Sequence, residues 1–299
     1  MKRLRELREG AGYTQGSLAK MLKVSQQTIA RWESGKAEPN IAALRDIAVI
    51  FGTSVDDLLG VENEKITTNH YYLTGIESTD GFWGHLGLLL TDETKSRWYP
   101  ITLSEANRLS NALREREINE SKWLVASALN NRMLVFSLDA IKKITLLDDA
   151  VDQPHGDWDL SWDGYQGYPL EVYRAIEERF YFDSEEEYLE NYSESFRSIV
   201  EDVISENDIT DRNFERMIVD THIFFRGKNS EHYRVDELHL ENLVFLAEME
   251  MPSVVRFGVF GGGCDLFYPA ASISLIEIPT IKYLEGYKRV QQENEAADA

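Results

Sequence analysis

The sequence predicts a multidomain chain. An all-α head of five short helices spans residues 1–60, and an α+β C-terminal region follows, with two similar β-rich units and an acidic helical segment between them. Three observations predict this. Apolar residues recur at helical spacing up to Leu59, with Gly10, Gly35 and Gly52 as stops. Beyond residue 70 the pattern changes to short apolar runs broken by turn signals. Charge is also split: residues 1–45 hold nine Lys/Arg against four Asp/Glu, hence +5, while the 299-residue chain carries −21 and the remainder therefore −26.

Each helix of the head has a start and a stop. Leu4 and Leu7 give the first an apolar stripe ending at Gly10 and Gly12. Thr14 caps the second, whose inner face is Leu18, Ala19 and Leu22. Ser25 caps the third, with Ile29 and Trp32 inward and Gly35 as its stop. Pro39-Asn40 opens the fourth, which buries Ile41, Leu44, Ile47, Ala48 and Phe51, and Ser54 starts the fifth with Val55, Leu58 and Leu59. Only Leu22-Lys23-Val24 separates the second helix from the third, the length of a helix-turn-helix joint.

The run Thr14-Gln15-Gly16-Ser17-Leu18-Ala19, followed by Val24-Ser25-Gln26-Gln27-Thr28-Ile29-Ala30-Arg31-Trp32-Glu33-Ser34-Gly35-Lys36 and Pro39, resembles the Cro/cI (XRE) repressor family over residues 1–60. The resemblance implies a repressor-like DNA-binding domain whose third helix enters the major groove of double-stranded DNA. Base-reading then falls to Gln26, Gln27 and Arg31, because glutamine can bond adenine N6 and N7 together and arginine forks onto guanine O6 and N7. Thr28 would meet a thymine methyl or a phosphate. The family's phosphate contacts map to Gln15, Gly35 and Lys36. Arg8 and Glu33 resemble the family's internal ion pair. Lys23 departs from the glycine the family often carries at a left-handed position.

Residues 61–69 read as a linker and residues 70–153 as the first β-rich unit. That unit holds strands His85–Thr91 and Arg97–Thr102, a helix from Ser104 to about Arg116, and strands Trp123–Leu129, Arg132–Ser137 and Ile141–Leu147. A similar β-β-α-β-β-β order recurs in residues 219–299 as Thr221–Phe225, His232–Val235, Leu238–Glu248, Val254–Phe260, Asp265–Tyr268 and Ser272–Ile278, with a C-terminal tail. The intervening residues 154–218 are acidic, and from Pro169 to Met217 helical, with aromatics such as Tyr173, Phe180 and Phe196 interleaving the charges.

The composition excludes several classes. Hydrophobic residues at 43% and aromatics at 11% are ample for packed cores. No apolar run reaches the ~20 residues of a membrane span, and no secretory leader is visible, so a cytoplasmic protein with no membrane partner is expected. A lone Cys264 rules out an internal disulfide and reads as a buried structural thiol. Six histidines lack a His-Glu-x-x-His motif, and His232 and His239 fall on a strand end and a helix start rather than on one ligating face. Asp157–Gly164 fails as a calcium loop because Trp162 and Tyr168 stand where Gly and Glu are needed; a turn-rich surface loop is expected instead. Gly261-Gly262-Gly263 reads as a hairpin turn. No catalytic residue, metal or cofactor is expected, and the only Ala-Gly, Ala11-Gly12, lies in the head rather than at a self-cleavage site near the linker.

These readings converge on a DNA-binding transcriptional regulator, a repressor, working as a homodimer or higher homo-oligomer. Its C-terminal region would assemble copies, sense a small ligand or bind a protein partner. An antitoxin-like protein that neutralises a basic partner, and an enzyme with a DNA-binding head, are the alternatives.

Overall fold

The computed structural model describes residues 2–11, 13–51, 82–114, 122–181, 188, 191–227 and 229–298. The head contains α1 (Lys2–Gly10), α2 (Gln15–Met21), α3 (Gln26–Glu33) and α4 (Ile41–Ile50). The fifth helix expected from Ser54 and the linker at 61–69 lie outside the described residues. Leu4, Leu18, Ile29 and Ile47 are fully buried, as the 3.6-residue period requires.

Among the described residues the C-terminal region builds two antiparallel sheets and a hairpin. Strands β1 (Phe82–Leu90), β2 (Arg97–Thr102) and β5 (Ile141–Asp148) form one sheet in the order β2-β1-β5. A second sheet has the order β3-β4-β10-β6-β7, from β3 (Trp123–Ala128), β4 (Arg132–Ser137), β6 (Thr221–Phe225), β7 (Ser230–Tyr233) and β10 (Ile273–Pro279). Strands β8 (Val254–Gly258) and β9 (Asp265–Pro269) pair as a hairpin across the expected triple-glycine turn. Helix α5 (Leu103–Arg114) joins β2 to β3 and α8 (Glu237–Met249) joins β7 to β8. In both stretches the order is β-β-α-β-β, a 3-10 turn and a last strand, and the first strand pairs between the second and the last.

All seven residues of β10 are buried, because its sheet is covered on both faces. Side-chain alternation divides those faces. Met133, Val135, Ile276 and Ile278 join α8 in one core, whereas Leu134, Phe136 and Leu275 join the first sheet and α5 in another. Ile273 belongs with the first group although two residues from Leu275, and the register shift between these two positions accounts for the change of phase.

The acidic segment folds as α6 (Leu170–Tyr181), α7 (Glu194–Glu206) and a one-turn π-helix, Glu215–Val219. Its aromatic face is buried, Tyr173 and Phe196 nearly completely, and this face shares one hydrophobic cluster with Leu18, Ile29 and Ile47 of the head. The C-terminal tail forms a 19-residue helix, α9 (Thr280–Asp298), anchored by a buried Lys282–Glu177 ion pair of 2.6 Å to α6 and by Tyr283 and Tyr287. Two expectations are corrected. Cys264 is exposed on the β8–β9 hairpin rather than buried. The loop at 157–164 is no plain surface turn: Asp163 is buried, and Asp157 accepts from the Ser96 backbone N–H at 2.6 Å and from its hydroxyl at 2.8 Å.

Gly286 sits inside α9 because α9 crosses the start of α8 there; a Cβ would stand 2.1 Å from the Glu237 carbonyl oxygen. Alanine would raise helix propensity by about 1 kcal/mol, yet the clash with fixed backbone costs about 1–3 kcal/mol. Gly286→Ala is therefore expected to lower the unfolding midpoint in chemical denaturation.

Candidate nucleic-acid interface

Local chemistry sets the two helices of the motif. Thr14 Oγ1 accepts from the Ser17 backbone N–H at 3.0 Å and Ser25 Oγ from that of Thr28 at 3.1 Å, so both helices begin on hydroxyl caps. Both end in the same way. Lys23 N–H bonds the Lys20 carbonyl at 3.2 Å and Val24 N–H the Ala19 carbonyl at 2.9 Å; Gly35 and Lys36 repeat the pair on Trp32 and Arg31 at 3.1 and 2.9 Å. This double closure needs a left-handed residue, and Lys23 (φ 51°) and Gly35 (φ 72°) occupy it.

Lysine meets that requirement at a cost glycine avoids, about 1–2 kcal/mol, partly offset by glycine's greater freedom when unfolded. Lys23→Gly should stabilise the chain modestly. Gly35→Ala should destabilise it by about 1 kcal/mol, although a Cβ at Gly35 meets nothing within 4 Å. Opposite shifts in denaturation midpoint would check the pair.

A buried polar cluster locks α1 to the end of α3. Arg8 Nε donates to Glu33 Oε1 at 2.5 Å and Nη2 to Oε2 at 3.2 Å, with side chains only 9% and 4% exposed. Arg8 Nη1 donates to the Tyr13 carbonyl at 2.8 Å, and Gln15 Nε2 to Glu33 Oε2 at 2.7 Å. The Glu33 carboxylate holds the Arg8 guanidinium above its ordinary pKa. The start of α2 is thereby tied to the last turn of α3, and the angle between the two helices is held by charge-assisted bonds.

The residues singled out from the sequence fall on one motif. Gln26, Gln27 and Arg31 are exposed on α3, and Thr28, half-buried, shares a 2.8 Å hydroxyl contact with Ser25. Gln27 and Arg31 lie one turn apart on one side of the helix. Gly35 and Lys36 are exposed just beyond it, while Gln15 is half-buried and engaged with Glu33. Lys23, noted in the sequence only for its backbone, presents an exposed ammonium group on the turn. Among the described residues no cluster of three His, Cys, Asp or Glu could hold a metal, and no helix is long and apolar enough to cross a membrane.

Residues 4–58 match the family model described as Helix-turn-helix. The chain is 44% identical over 66 residues to the HTH-type transcriptional activator BcrR of Enterococcus faecalis, covering 22% of this chain and 32% of that protein. It is 37% identical over 67 residues to the HTH-type transcriptional regulator AnsR of Bacillus subtilis, 22% of this chain and 58% of that one. An HTH-type transcriptional regulator of Archaeoglobus fulgidus is matched over 91% of its length and 21% of this chain, at 36% identity. The chain thus spans about a third and rather more than half of the first two relatives. No solved structure matches it. With a relative matched over nearly its whole length and every cap and turn of the motif in place, this chain belongs to the HTH-type transcriptional regulators.

Proposed function

We propose that the chain is a sequence-specific DNA-binding transcriptional regulator that reads bases with Gln26, Gln27, Thr28 and Arg31. The supporting observation is the exposed row of amide and guanidinium groups on a helix whose opposite side, Ile29 and Trp32, is buried. The Thr28 hydroxyl is engaged in the cap, so its methyl group is the part offered to thymine. Gln15 spends one amide N–H on Glu33 and keeps the other for a phosphate; Gly35 N–H and Lys36 flank the next phosphate. One head has few base contacts, so two copies on half-sites about 34–36 Å apart supply the specificity. By this reading the chain acts as a repressor, by occupying its operator. The C-terminal region, a duplicated β-β-α-β-β-β module by this reading, serves assembly and effector sensing.

Selection of binding sequences from random duplex DNA with the full chain tests the reading: an enriched motif is expected, with two-fold symmetry if two heads bind. No enrichment overturns it. Lys36→Ala should weaken all sequences alike and reduce the log–log salt slope by about one unit. A change in the selected motif instead would move Lys36 from phosphate to base.

A further inference from the structure

A cleft of about 710 Å³ opens where the two β-rich stretches meet the 159–163 loop and the π-turn of the acidic segment. Its floor is a row across three strands, His232 on β7, His222 on β6 and Glu277 on β10, with Arg132 on neighbouring β4. Arg97 and Tyr99 of β2 form one wall, and the π-helix forms another. The Glu215 carbonyl closes the π-turn on the Asp220 N–H at 2.7 Å, and the next three carbonyls turn to side chains packed against them. The Arg216 carbonyl accepts from His222 Nε2 at 2.7 Å, that of Met217 from Arg132 Nη2 at 2.6 Å, and that of Ile218 from Asn131 Nδ2 at 3.0 Å.

The hydrogen-bond inventory of the cleft is lopsided. Its carboxylates are served by the protein: Glu277 Oε1 by the Tyr99 hydroxyl at 2.5 Å, Glu93 by Arg97 Nη2 at 2.6 Å, and Asp163 by the Tyr173 and Ser161 hydroxyls at 3.0 and 2.9 Å. Its guanidiniums are served only in part, Arg97 through Nη2 to Glu93 and Arg132 through Nη2 to the Met217 carbonyl. Arg132 has a side chain only 9% exposed, its Nη1 has no hydrogen-bond partner, and its Nε stands 4.0 Å from Glu277 Oε2. Arg97 Nε is likewise buried without a partner, while its guanidinium lies 4.0 Å over the Phe224 ring. Among acceptors, Asn130 Oδ1 is unmatched. Buried polar groups of native proteins find partners, and charged donors left without one are the most costly. Both arginines, each already facing a carboxylate, keep one donor for a further acceptor that an anion meets best, and Asn130 Oδ1 keeps a place for a hydroxyl, within a volume suited to a small ligand.

We propose that this cleft binds a small hydroxylated organic anion, a carboxylate or a phosphate ester, between Arg97 and Arg132. Calling that ligand the effector of transcription rests on the proposed DNA-binding function; the site itself does not. Charge-assisted hydrogen bonds to the two arginines supply affinity, and Asn130 selects for the hydroxyl.

Thermal unfolding and tryptophan fluorescence of the full chain, without DNA and at constant ionic strength, test the site with glucose 6-phosphate, gluconate and inorganic phosphate. Trp98 and Trp162 line the cleft and report occupancy. A saturable rise in midpoint is expected with one of the hydroxylated anions, tighter than with inorganic phosphate, and the preferred member of the pair separates phosphate ester from carboxylate. Arg97→Gln and, as a charge-conserving variant, Arg132→Lys should each weaken binding about tenfold or more. Each variant's midpoint without ligand confirms its fold. The proposal is overturned if no probe shifts the parent chain, or if both variants shift as much as the parent at the same ligand concentrations, which marks a general salt effect. Because no DNA is present, either failure leaves the DNA-binding reading standing.

Discussion

Alanine at both Gln26 and Arg31 is expected to lower affinity for the selected DNA site by about 2–6 kcal/mol per head, roughly 30-fold to 10⁴-fold, while affinity for random duplex stays the same. The asymmetry follows from what each side chain could touch. A bidentate amide or guanidinium contact discriminates one base pair by about 1–3 kcal/mol, whereas the phosphate contacts of Lys36 and the helix ends carry the non-specific term. Fold loss is not expected to confuse the result, because both side chains are exposed. The parts of Arg31 that hold structure are backbone: its carbonyl accepts from Lys36 N–H at 2.9 Å and from Ala37 N–H at 3.2 Å. Titration by fluorescence anisotropy, with selected and scrambled duplexes side by side, checks both halves of the expectation. Equal losses on the two duplexes would show that these residues touch phosphate, and no loss would place base recognition elsewhere.

The head was legible because its signals are local. Thr14, Ser25 and Asn40 bond to backbone three residues away, and the two helix ends close within five, so a short window of sequence contains cause and effect together. Strands were legible for a similar reason; Arg97–Thr102, Arg132–Ser137 and Thr221–Phe225 fall where β-branched and aromatic runs place them. What escaped depends on distant partners. Helix α9 has its apolar positions interrupted by Lys282, Glu285 and Gly286, and these make sense only once Glu177 and the Glu237 carbonyl stand opposite. The β4–β10 pairing that joins the two β-rich stretches spans residues more than a hundred positions apart, and no periodicity encodes it. The small apolar character of cysteine favours interiors, but Cys264 follows three exposed glycines on a hairpin and is itself exposed. The cleft escaped altogether. Its donors come from β2, β4 and β6, and the unmatched nitrogens of Arg97 and Arg132 become visible only when the chain is folded.

Glu33→Ala is expected to destabilise the head by about 3–5 kcal/mol, the range for removing one partner of a buried ion pair. Arg8 would keep its bond to the Tyr13 carbonyl and its 3.2 Å contact with the exposed Glu9, yet its charge would sit with a side chain 9% exposed and no buried counter-charge. Gln15 would lose its acceptor as well, freeing the start of α2 from the end of α3. Glu33→Gln, which retains one acceptor and the shape, should cost less. Arg8→Met combined with Glu33→Leu should come close to neutral, since apolar replacement of a buried pair removes its desolvation penalty along with its attraction. Hydrogen exchange over residues 2–50 in the full chain reads the effect where it arises. Because Leu18, Ile29 and Ile47 share a cluster with Tyr173 and Phe196, loosening should spread into α6 and α7 rather than stop at the head. Protection retained in Glu33→Ala would mean that the pair contributes little and that helix packing alone holds the reading surface. A double variant as unstable as the single ones would show instead that the geometry of this ion pair, and not the burial of charge, sets the angle between α2 and α3.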